Sequence, residues 1–114
     1  MENDIFCQII AGKAPAKMVY EDSEIVAFWD IHPRTPVHIL IVPRKHIVSV
    51  RELTVEDAPV LGKMALVADT IAKQMGIFDS GFRLILNSGP DSGMIVPHLH
   101  MHLLGGRKMG GLIS

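Results

Sequence analysis

Three histidines stand at alternate positions near the end of this chain: His98, His100 and His102. Successive side chains of a β-strand point to opposite faces, so this spacing predicts three imidazoles on one face, about 6.5 to 7 Å apart. An imidazole is a nucleophile when neutral, and its N–H group binds phosphate oxygens. The triplet therefore favours phosphoryl chemistry, with His100 attacking phosphorus while its two neighbours hold the phosphate oxygens.

The loop before the triplet, residues 88–93, contains two glycines and supports the same chemistry. Gly93 has no side chain, so we expect its backbone N–H to approach an anion closely. Two other interpretations remain open at this point. A single strand histidine is usually a half-buried polar residue, and two histidines at positions i and i+2 are a familiar zinc-binding arrangement. A zinc-dependent hydrolase is therefore the main alternative.

Hydrophobic periodicity predicts the elements that position the triplet. A short helix over residues 4–11 is capped by Asp4, and a longer helix begins after Asp57 and ends at Gly76. The longer helix carries one apolar stripe, formed by Leu61, Met64, Ala68, Ile71 and Met75. Strands are predicted at residues 18–20, 24–29, 37–42, 82–87 and 98–104. This order predicts an α+β domain built on a mostly antiparallel sheet.

Length and composition limit the classes of protein to consider. The 114 residues fit a single domain, residues 1–114, whose small size and mean hydropathy of +0.30 favour self-association. Eleven basic and twelve acidic residues give a net charge of -1, which argues against a nucleic-acid partner. The sequence shows neither a membrane span nor a signal peptide. Cys7 is the single cysteine, so no intramolecular disulfide forms and a cytoplasmic location is expected.

The segment from His98 to Leu104, followed by Gly105-Gly106-Arg107, resembles the signature of the histidine triad (HIT) superfamily. The Gly-Gly-Arg sequence is similar to the Hint branch, the purine nucleoside phosphoramidases. Further similarity covers nearly the whole chain, including residues 5–10, 15–16, 28–31, 36–43 and 45–46. The resemblance implies a HIT-like fold: a five-stranded antiparallel sheet with two helices, paired into a ten-stranded sheet in a homodimer.

The resemblance also implies an activity and a mechanism. Neutral His100 attacks the α-phosphorus of a purine nucleoside 5'-phosphoramidate or a related nucleotide conjugate. Water then hydrolyses the covalent nucleotidyl-histidine, which predicts ping-pong kinetics. This route needs no cofactor and no metal, so the predicted partners are a purine nucleotide and a second copy of the chain.

Individual roles follow from the resemblance at matching positions. His100 matches the nucleophile, His98 and His102 match its phosphate-binding neighbours, and His38 matches a histidine that supports them. Asp30 matches a carboxylate that binds the ribose hydroxyls. The sequence alone favours a core histidine for His38, and it predicts a turn residue equally well for Asp30. Asn87 matches a ribose–phosphate contact, and the base is expected against Ile5, Phe6, Ile9, Phe28, Ile31 and Leu40.

Two positions just before the triplet depart from the family pattern. Met94 and Ile95 occupy places where relatives usually carry a glutamine followed by a serine or threonine. Ile95 cannot donate a hydrogen bond to a leaving group. We therefore expect slow turnover of phosphoramidates or a substrate with a better leaving group. A nucleotide-binding scaffold or regulator with little turnover is the corresponding alternative.

A third departure concerns structural zinc. Some relatives bind zinc through a Cys-x-x-Cys motif and two histidines, and here Asp4 and Cys7 occupy the cysteine positions. His46 and His98 occupy the likely histidine positions. One thiolate, one carboxylate and two imidazoles form a less usual structural zinc site. We therefore interpret Cys7 as a buried helix residue and expect no bound metal.

Overall fold

The computed structural model describes residues 4–111, which form five strands and two helices. Helix α1 covers Ile5–Ile10 and α2 covers Ala58–Gln74; the strands are β1 (Met18–Glu21), β2 (Ile25–Trp29), β3 (Val37–Pro43), β4 (Phe82–Leu86) and β5 (Met101–Gly105). Short 3₁₀ turns occupy Val50–Glu52, Val55–Asp57 and Pro90–Ser92. The predicted α+β class is confirmed. Within residues 4–111, no helix has both the length and the apolar character needed to cross a membrane.

The five strands form one antiparallel sheet in the order β1-β2-β3-β5-β4. Strand β3 lies at the centre, and every one of its residues is buried. This agrees with its continuous β-branched sequence, which is typical of a strand covered on both faces. The register places His38 opposite Leu104 and Leu40 opposite His102. The sheet therefore brings the 37–43 segment beside the histidine-bearing strand, although 64 residues separate His38 from His102.

The period-two alternation of strand side chains divides the core into two clusters. One cluster packs α2 against the sheet and contains Ile39, Ile41, Leu99, Met101, Leu103, Met64, Ala68 and Ile71. The second cluster lies on the opposite face and contains Phe6, Val26, Phe28, Leu40 and Val42. The polar histidines His38 and His102 alternate with residues of the first cluster, so they face away from α2.

The predicted helix caps are confirmed in one case and corrected in the other. Asp4 caps α1, because its Oδ1 accepts a hydrogen bond of 2.8 Å from the Cys7 N–H. Helix α2 follows Asp57 as predicted, but the Asp57 side chain makes no capping bond. It binds the Lys45 ammonium at 2.7 Å and the Thr54 hydroxyl at 3.1 Å instead. The Asp57 carboxylate therefore stabilises the segment before α2 and does not cap the helix.

Strand β5 begins later than the sequence predicts. The expected strand covered residues 98–104, whereas the structure pairs β5 from Met101 to Gly105. Pro43 ends β3 and offers no N–H group, so the sheet ladder has no partner for the residues before Met101. The Leu99 N–H instead donates to the Ile47 carbonyl at 2.6 Å. His98 and His100 therefore lie on an extended segment just before β5, which is held by contacts with a loop.

Candidate active site

A cavity of about 1200 Å³ opens on the sheet face opposite α2. Its walls come from α1, the sheet, the loop after β4 and the segment after β5. All but one of the residues that the sequence predicted for the site line this cavity. They are His38, His100, His102, Asp30, Asn87, Gly93, Ile5, Phe6, Ile9, Phe28, Ile31 and Leu40. His98 is the exception. Residues distant in sequence therefore converge on one concave surface that is large enough for a nucleotide.

His100 is held in one tautomer by its own backbone neighbour. Its Nδ1 lies 2.7 Å from the His98 carbonyl oxygen, and a carbonyl only accepts hydrogen bonds, so Nδ1 carries the proton. The lone pair of the neutral ring is then on Nε2. Burial lowers the pKa of His100, which keeps the ring neutral near pH 7. The Phe6 ring packs edge-on against the His100 ring, with 5.0 Å between the two ring centroids. His100 is therefore an oriented, uncharged imidazole whose Nε2 is able to act as a nucleophile.

His102 is oriented through His38. The backbone N–H of Arg34 donates to His38 Nδ1 at 3.0 Å, so the proton of neutral His38 is on Nε2. That Nε2 donates to His102 Nδ1 at 2.9 Å, which leaves the proton of His102 on its own Nε2. Burial, reinforced by the neighbouring His100 and His38, lowers the pKa of His102 to about 4, and burial also lowers the pKa of His38. His102 therefore offers a neutral N–H donor beside His100.

Charged groups at the cavity wall have opposite signs. Asp30 Oδ2 lies 3.4 Å from His38 Nε2, and Asp30 Oδ1 accepts the His32 N–H at 2.8 Å. Three arginines that sequence reasoning did not assign also line the cavity: Arg34, Arg83 and Arg107. Arg107 belongs to the Gly-Gly-Arg motif, but no local pattern marks the other two. Their guanidinium groups give the cavity a positive character that suits a phosphate-bearing ligand.

The structure corrects the expected position of His98. Its side chain is fully buried and does not line the cavity. The His98 Nε2 lies 2.9 Å from the Pro43 carbonyl oxygen, and its Nδ1 faces Asp4 and Cys7. The His98 ring packs against Phe6 of α1, with 6.0 Å between the ring centroids, and lies buried beneath this helix. His98 therefore acts on the site through the carbonyl that holds His100.

His98 belongs to a cluster of four metal-ligating side chains, Asp4, Cys7, His46 and His98. Five separations among Asp4 Oδ2, Cys7 Sγ, His46 Nδ1 and His98 Nδ1 lie between 3.1 and 3.4 Å. Burial raises the pKa of Asp4, but the hydrogen bond from the Cys7 N–H and the neighbouring His98 lower it by a larger amount. The pKa of Asp4 is therefore below its usual value, and the carboxylate is ionised at pH 7. The interpretation of Cys7 as a plain buried helix residue is wrong, because its partly exposed thiol sits at the centre of these contacts.

The donor set of this cluster fits a tetrahedral zinc ion. Zinc bound to nitrogen or oxygen at about 2.0 to 2.1 Å and to sulfur at about 2.3 Å separates its ligand atoms by roughly 3.3 to 3.6 Å. The observed separations match this range to within a few tenths of an ångström. The bond from His98 Nε2–H to the Pro43 carbonyl is also typical of a zinc ligand, because such histidines usually donate their other N–H to a carbonyl.

A zinc site made from the whole triplet is not supported by the geometry. His98 joins the cluster near α1, whereas His102 joins a separate group with Asp30 and His38. In that second group the His38 proton already bridges to His102. Between residues 4 and 111, no candidate metal group contains all three triplet histidines.

The loop after β4 contributes to the cavity wall. Gly93 lines the cavity with a positive φ of 84°, a conformation that favours glycine. Its N–H donates to the Pro90 carbonyl at 3.1 Å, and the expected anion contact from this N–H stays a prediction. Ile95 also lines the cavity, and its side chain is 91 % exposed.

Comparisons with known proteins identify the family. A model of the HIT domain matches residues 11–109. This chain belongs to the HIT family. It is 44 % identical over 113 residues to the purine nucleoside phosphoramidase of Escherichia coli K12, covering 99 % of this chain and 95 % of the relative.

Solved HIT structures share the fold. A HIT family hydrolase from Clostridium thermocellum superposes with a TM-score of 0.96 at 43 % identity, covering 100 % of this chain and 99 % of that one. A HIT family hydrolase from Legionella pneumophila gives a TM-score of 0.92 at 41 % identity, covering 95 % of this chain and 96 % of the other. The predicted family and the five-stranded fold are therefore confirmed.

Proposed function

We propose that this HIT protein is a nucleotidyl hydrolase that acts on purine nucleoside 5'-phosphoramidates or related nucleotide conjugates through His100. The observation that carries the proposal is the fixed tautomer of His100, whose Nδ1–H bonds the His98 carbonyl at 2.7 Å. The lone pair of this neutral ring is therefore on Nε2, and the ring lines the cavity. The similarity to a relative named as a purine nucleoside phosphoramidase supports the substrate class.

In the first step, His100 Nε2 attacks the α-phosphorus and forms a nitrogen–phosphorus bond. The bond from phosphorus to the leaving nitrogen breaks, and the amine departs with a proton taken from water. His102 donates its Nε2–H to a phosphate oxygen as charge develops there, and the chain from Arg34 through His38 holds that donor in place. Both imidazoles remain neutral before attack because burial lowers the pKa of each.

In the second step, water attacks the phosphorus of the nucleotidyl-histidine. The nitrogen–phosphorus bond breaks, its electron pair returns to His100 Nε2, and the nucleoside monophosphate is released. The proton lost by the attacking water neutralises the hydroxide left by the first step. Splitting the reaction into two displacements at one histidine gives ping-pong kinetics. His98 contributes through its carbonyl, which keeps the Nδ1 proton of His100 in place throughout.

The remaining cavity residues bind the nucleoside. Asp30 presents a partly exposed carboxylate that accepts hydrogen bonds from the ribose hydroxyls, and Asn87 contacts the ribose–phosphate linkage. An apolar wall receives the base and is formed by Ile5, Phe6, Ile9, Phe28, Ile31 and Leu40. A mostly apolar pocket with a few placed polar groups is the usual construction of such a site.

The proposal is tested by incubating the protein with adenosine 5'-phosphoramidate and measuring the release of AMP. The measurement is repeated after the protein has been treated briefly with a metal chelator. Catalytic AMP release under both conditions supports a histidine nucleophile. Release no faster than that in buffer alone contradicts the hydrolase function.

A nucleotide-binding scaffold with little turnover is the second candidate, and the exposed Ile95 on the cavity wall favours it. If a missing hydroxyl limits departure of the amine, Ile95→Ser should raise kcat on a phosphoramidate about tenfold or more. Val55→Ser is the matched control, because Val55 is 86 % exposed and does not line the cavity. Equal rates for both variants would show that the hydroxyl is irrelevant. Tight AMP binding with background hydrolysis in the unmodified protein would establish the scaffold.

We also propose that two copies pair into a continuous ten-stranded sheet. Strand β4 is an edge of the sheet, and an open edge is a template for pairing with another strand. Leu84 on β4 is 37 % exposed, so this edge strand carries exposed apolar surface. Sedimentation equilibrium at micromolar concentration should give the mass of two chains. A single-chain mass under those conditions would contradict the pairing.

A further inference from the structure

Three arginine side chains line the cavity without a role in the proposed attack on phosphorus: Arg34, Arg83 and Arg107. Within residues 4–111, no ion pair joins any of them to a carboxylate. In the described part of the chain, Asp30 is the only acidic residue of the cavity wall. With neutral histidines, the wall therefore has two positive charges in excess. The α-phosphoryl group of a phosphoramidate brings one negative charge, which leaves an excess of one positive charge.

The antiparallel register places these three arginines at one end of the sheet. Strands β3 and β4 both begin, and β5 ends, at the level of Gly105. Arg34 precedes the first residue of β3 by three positions, Arg107 follows the last residue of β5 by two, and Arg83 is the second residue of β4. The three side chains therefore enter the cavity from the same end, although they are distant in sequence.

Strand β4 lies next to the reacting histidines on the side away from the base. The sheet order β1-β2-β3-β5-β4 places β4 beyond β5, whereas the apolar wall for the base belongs to α1, β2, β3 and the loop after β2. Ile85 pairs with His102, and Arg83 is the preceding residue on the same face of β4. Same-face neighbours of a strand are about 6.5 to 7 Å apart, so Arg83 lies one side-chain step from the level of His102.

Backbone carbonyls hold two of the guanidinium groups in place without neutralising them. Arg83 Nη2 donates to the Gly110 carbonyl at 2.8 Å, and Arg107 Nη2 donates to the Arg34 carbonyl at 3.3 Å. A guanidinium group has five N–H donors, so one bond to a carbonyl does not exhaust its binding capacity. A carbonyl has no net charge, so the positive charge persists. Side chains that are already held lose less conformational freedom when an anion binds.

The guanidinium group of Arg34 interacts electrostatically with two histidines of the site. Burial lowers the pKa of His102 to about 4, and the positive charge of Arg34 contributes to this shift. Burial also lowers the pKa of His38, and Arg34 acts in the same direction. Charge interactions weaken with distance, so Arg34 lies close enough to the reacting groups to act on an anion bound beside them.

We propose that Arg34, Arg83 and Arg107 form a subsite for the leaving group and select amines that carry a negative charge. The inference rests on the proposed nucleotide function. A carboxylate accepts two parallel N–H bonds from a guanidinium group, and one carboxylate balances the remaining positive charge of the wall. The carboxylate takes no part in bond exchange: His100 bonds to phosphorus, the bond from phosphorus to the amine breaks, and the amine takes its proton from water.

The test uses two adenosine 5'-phosphoramidates that differ in one charge. One carries β-alanine, bonded to phosphorus through its amine, and the other carries β-alanine amide in the same way. The measured quantity is the ratio of kcat/KM for the charged substrate to kcat/KM for the neutral one. The two amines differ in basicity, so the decisive result is the change of this ratio between the unmodified protein and its variants, because the intrinsic reactivity then cancels.

Arg83→Gln should lower this ratio about tenfold or more, because hydrogen bonds between two charged groups are stronger than those to a neutral amide. The value of kcat/KM for the neutral substrate should stay close to that of the unmodified protein. Arg83→Lys keeps the charge but loses the paired donors, so its ratio should lie between the other two. Lys73→Gln is the matched control: it removes one positive charge from α2, outside the cavity, and should leave the ratio unchanged.

The possible failures are distinguishable. Release of AMP from neither substrate by the unmodified protein would overturn the proposed function, and the subsite with it. Release of AMP with a ratio that is the same in Arg83→Gln would overturn the subsite and leave the proposed function intact. An equal loss on both substrates would assign Arg83 to the α-phosphate or to the fold, and a ratio lowered as much by Lys73→Gln would show a long-range effect of charge. Either result would contradict selection of the leaving group by Arg83.

Discussion

Replacing His100 with alanine is expected to lower kcat for a nucleoside phosphoramidate by about four orders of magnitude or more. The change removes the only atom proposed to bond to phosphorus, and loss of a covalent nucleophile leaves just the catalysis that binding and phosphate contacts supply. Initial rates of AMP release under saturating substrate measure the effect. The His98 carbonyl and the cavity wall remain, so the loss should lie in kcat.

AMP binding is the control for the His100→Ala variant. The base and ribose contacts do not involve this ring, so the dissociation constant for AMP should stay within about tenfold of that of the unmodified protein. Near-normal turnover in a variant that binds AMP would remove His100 from the mechanism. A far-ultraviolet circular dichroism spectrum equal to that of the unmodified protein shows that the fold is retained.

Replacing His102 with alanine is expected to lower kcat by about 10² to 10³. The variant loses the Nε2–H that stabilises charge on a phosphate oxygen, and loss of one such donor typically has this cost. Because the pKa of His102 is lowered to about 4, the donor is neutral throughout the range from about pH 6 to pH 8. The ratio of the two rates should therefore be the same at both ends of this range.

His102→Gln is the matched variant, because an amide N–H partly replaces the imidazole donor. Its rate should lie between those of His102→Ala and the unmodified protein. A rate loss in His102→Ala that vanishes at one end of the pH range would contradict a neutral donor, since only a titrating group changes its contribution with pH.

The fold was largely predictable because most of its helices and strands are indicated by local sequence patterns. The β-branched run of residues 37–42 predicted a central strand, and β3 is buried along its whole length. The stepping of Met64, Ala68 and Ile71 predicted the buried face of α2. These features follow from periodicity and side-chain shape, which a single sequence displays directly.

The orientation of His98 was not predictable from alternation. A period of two correctly places Leu99, Met101 and Leu103 under α2. It does not reveal that the ladder stops at Met101, because that depends on the end of β3 and on the Ile47 carbonyl. Contacts of the His98 ring with Pro43, Asp4 and Cys7 hold this imidazole outside the cavity.

The tautomers of the site required the structure for the same reason. His38 and His102 are fixed by the Arg34 backbone N–H, which no pattern in the sequence associates with the triplet. The convergence of Cys7 with His46 and His98 likewise depends on contacts between residues 39 and 91 positions apart. The resemblance to relatives indicated which residues meet, whereas the packing decides which atoms face each other.

The most direct test of the account is to stop the reaction shortly after mixing the protein with substrate and to examine its peptides by mass spectrometry. We expect one added nucleotidyl group, located on His100 and released as nucleoside monophosphate when the adduct is incubated in water. A rapidly turning-over protein with no adduct under any quenching time, or with the nucleotidyl group on a different residue, would contradict attack by His100.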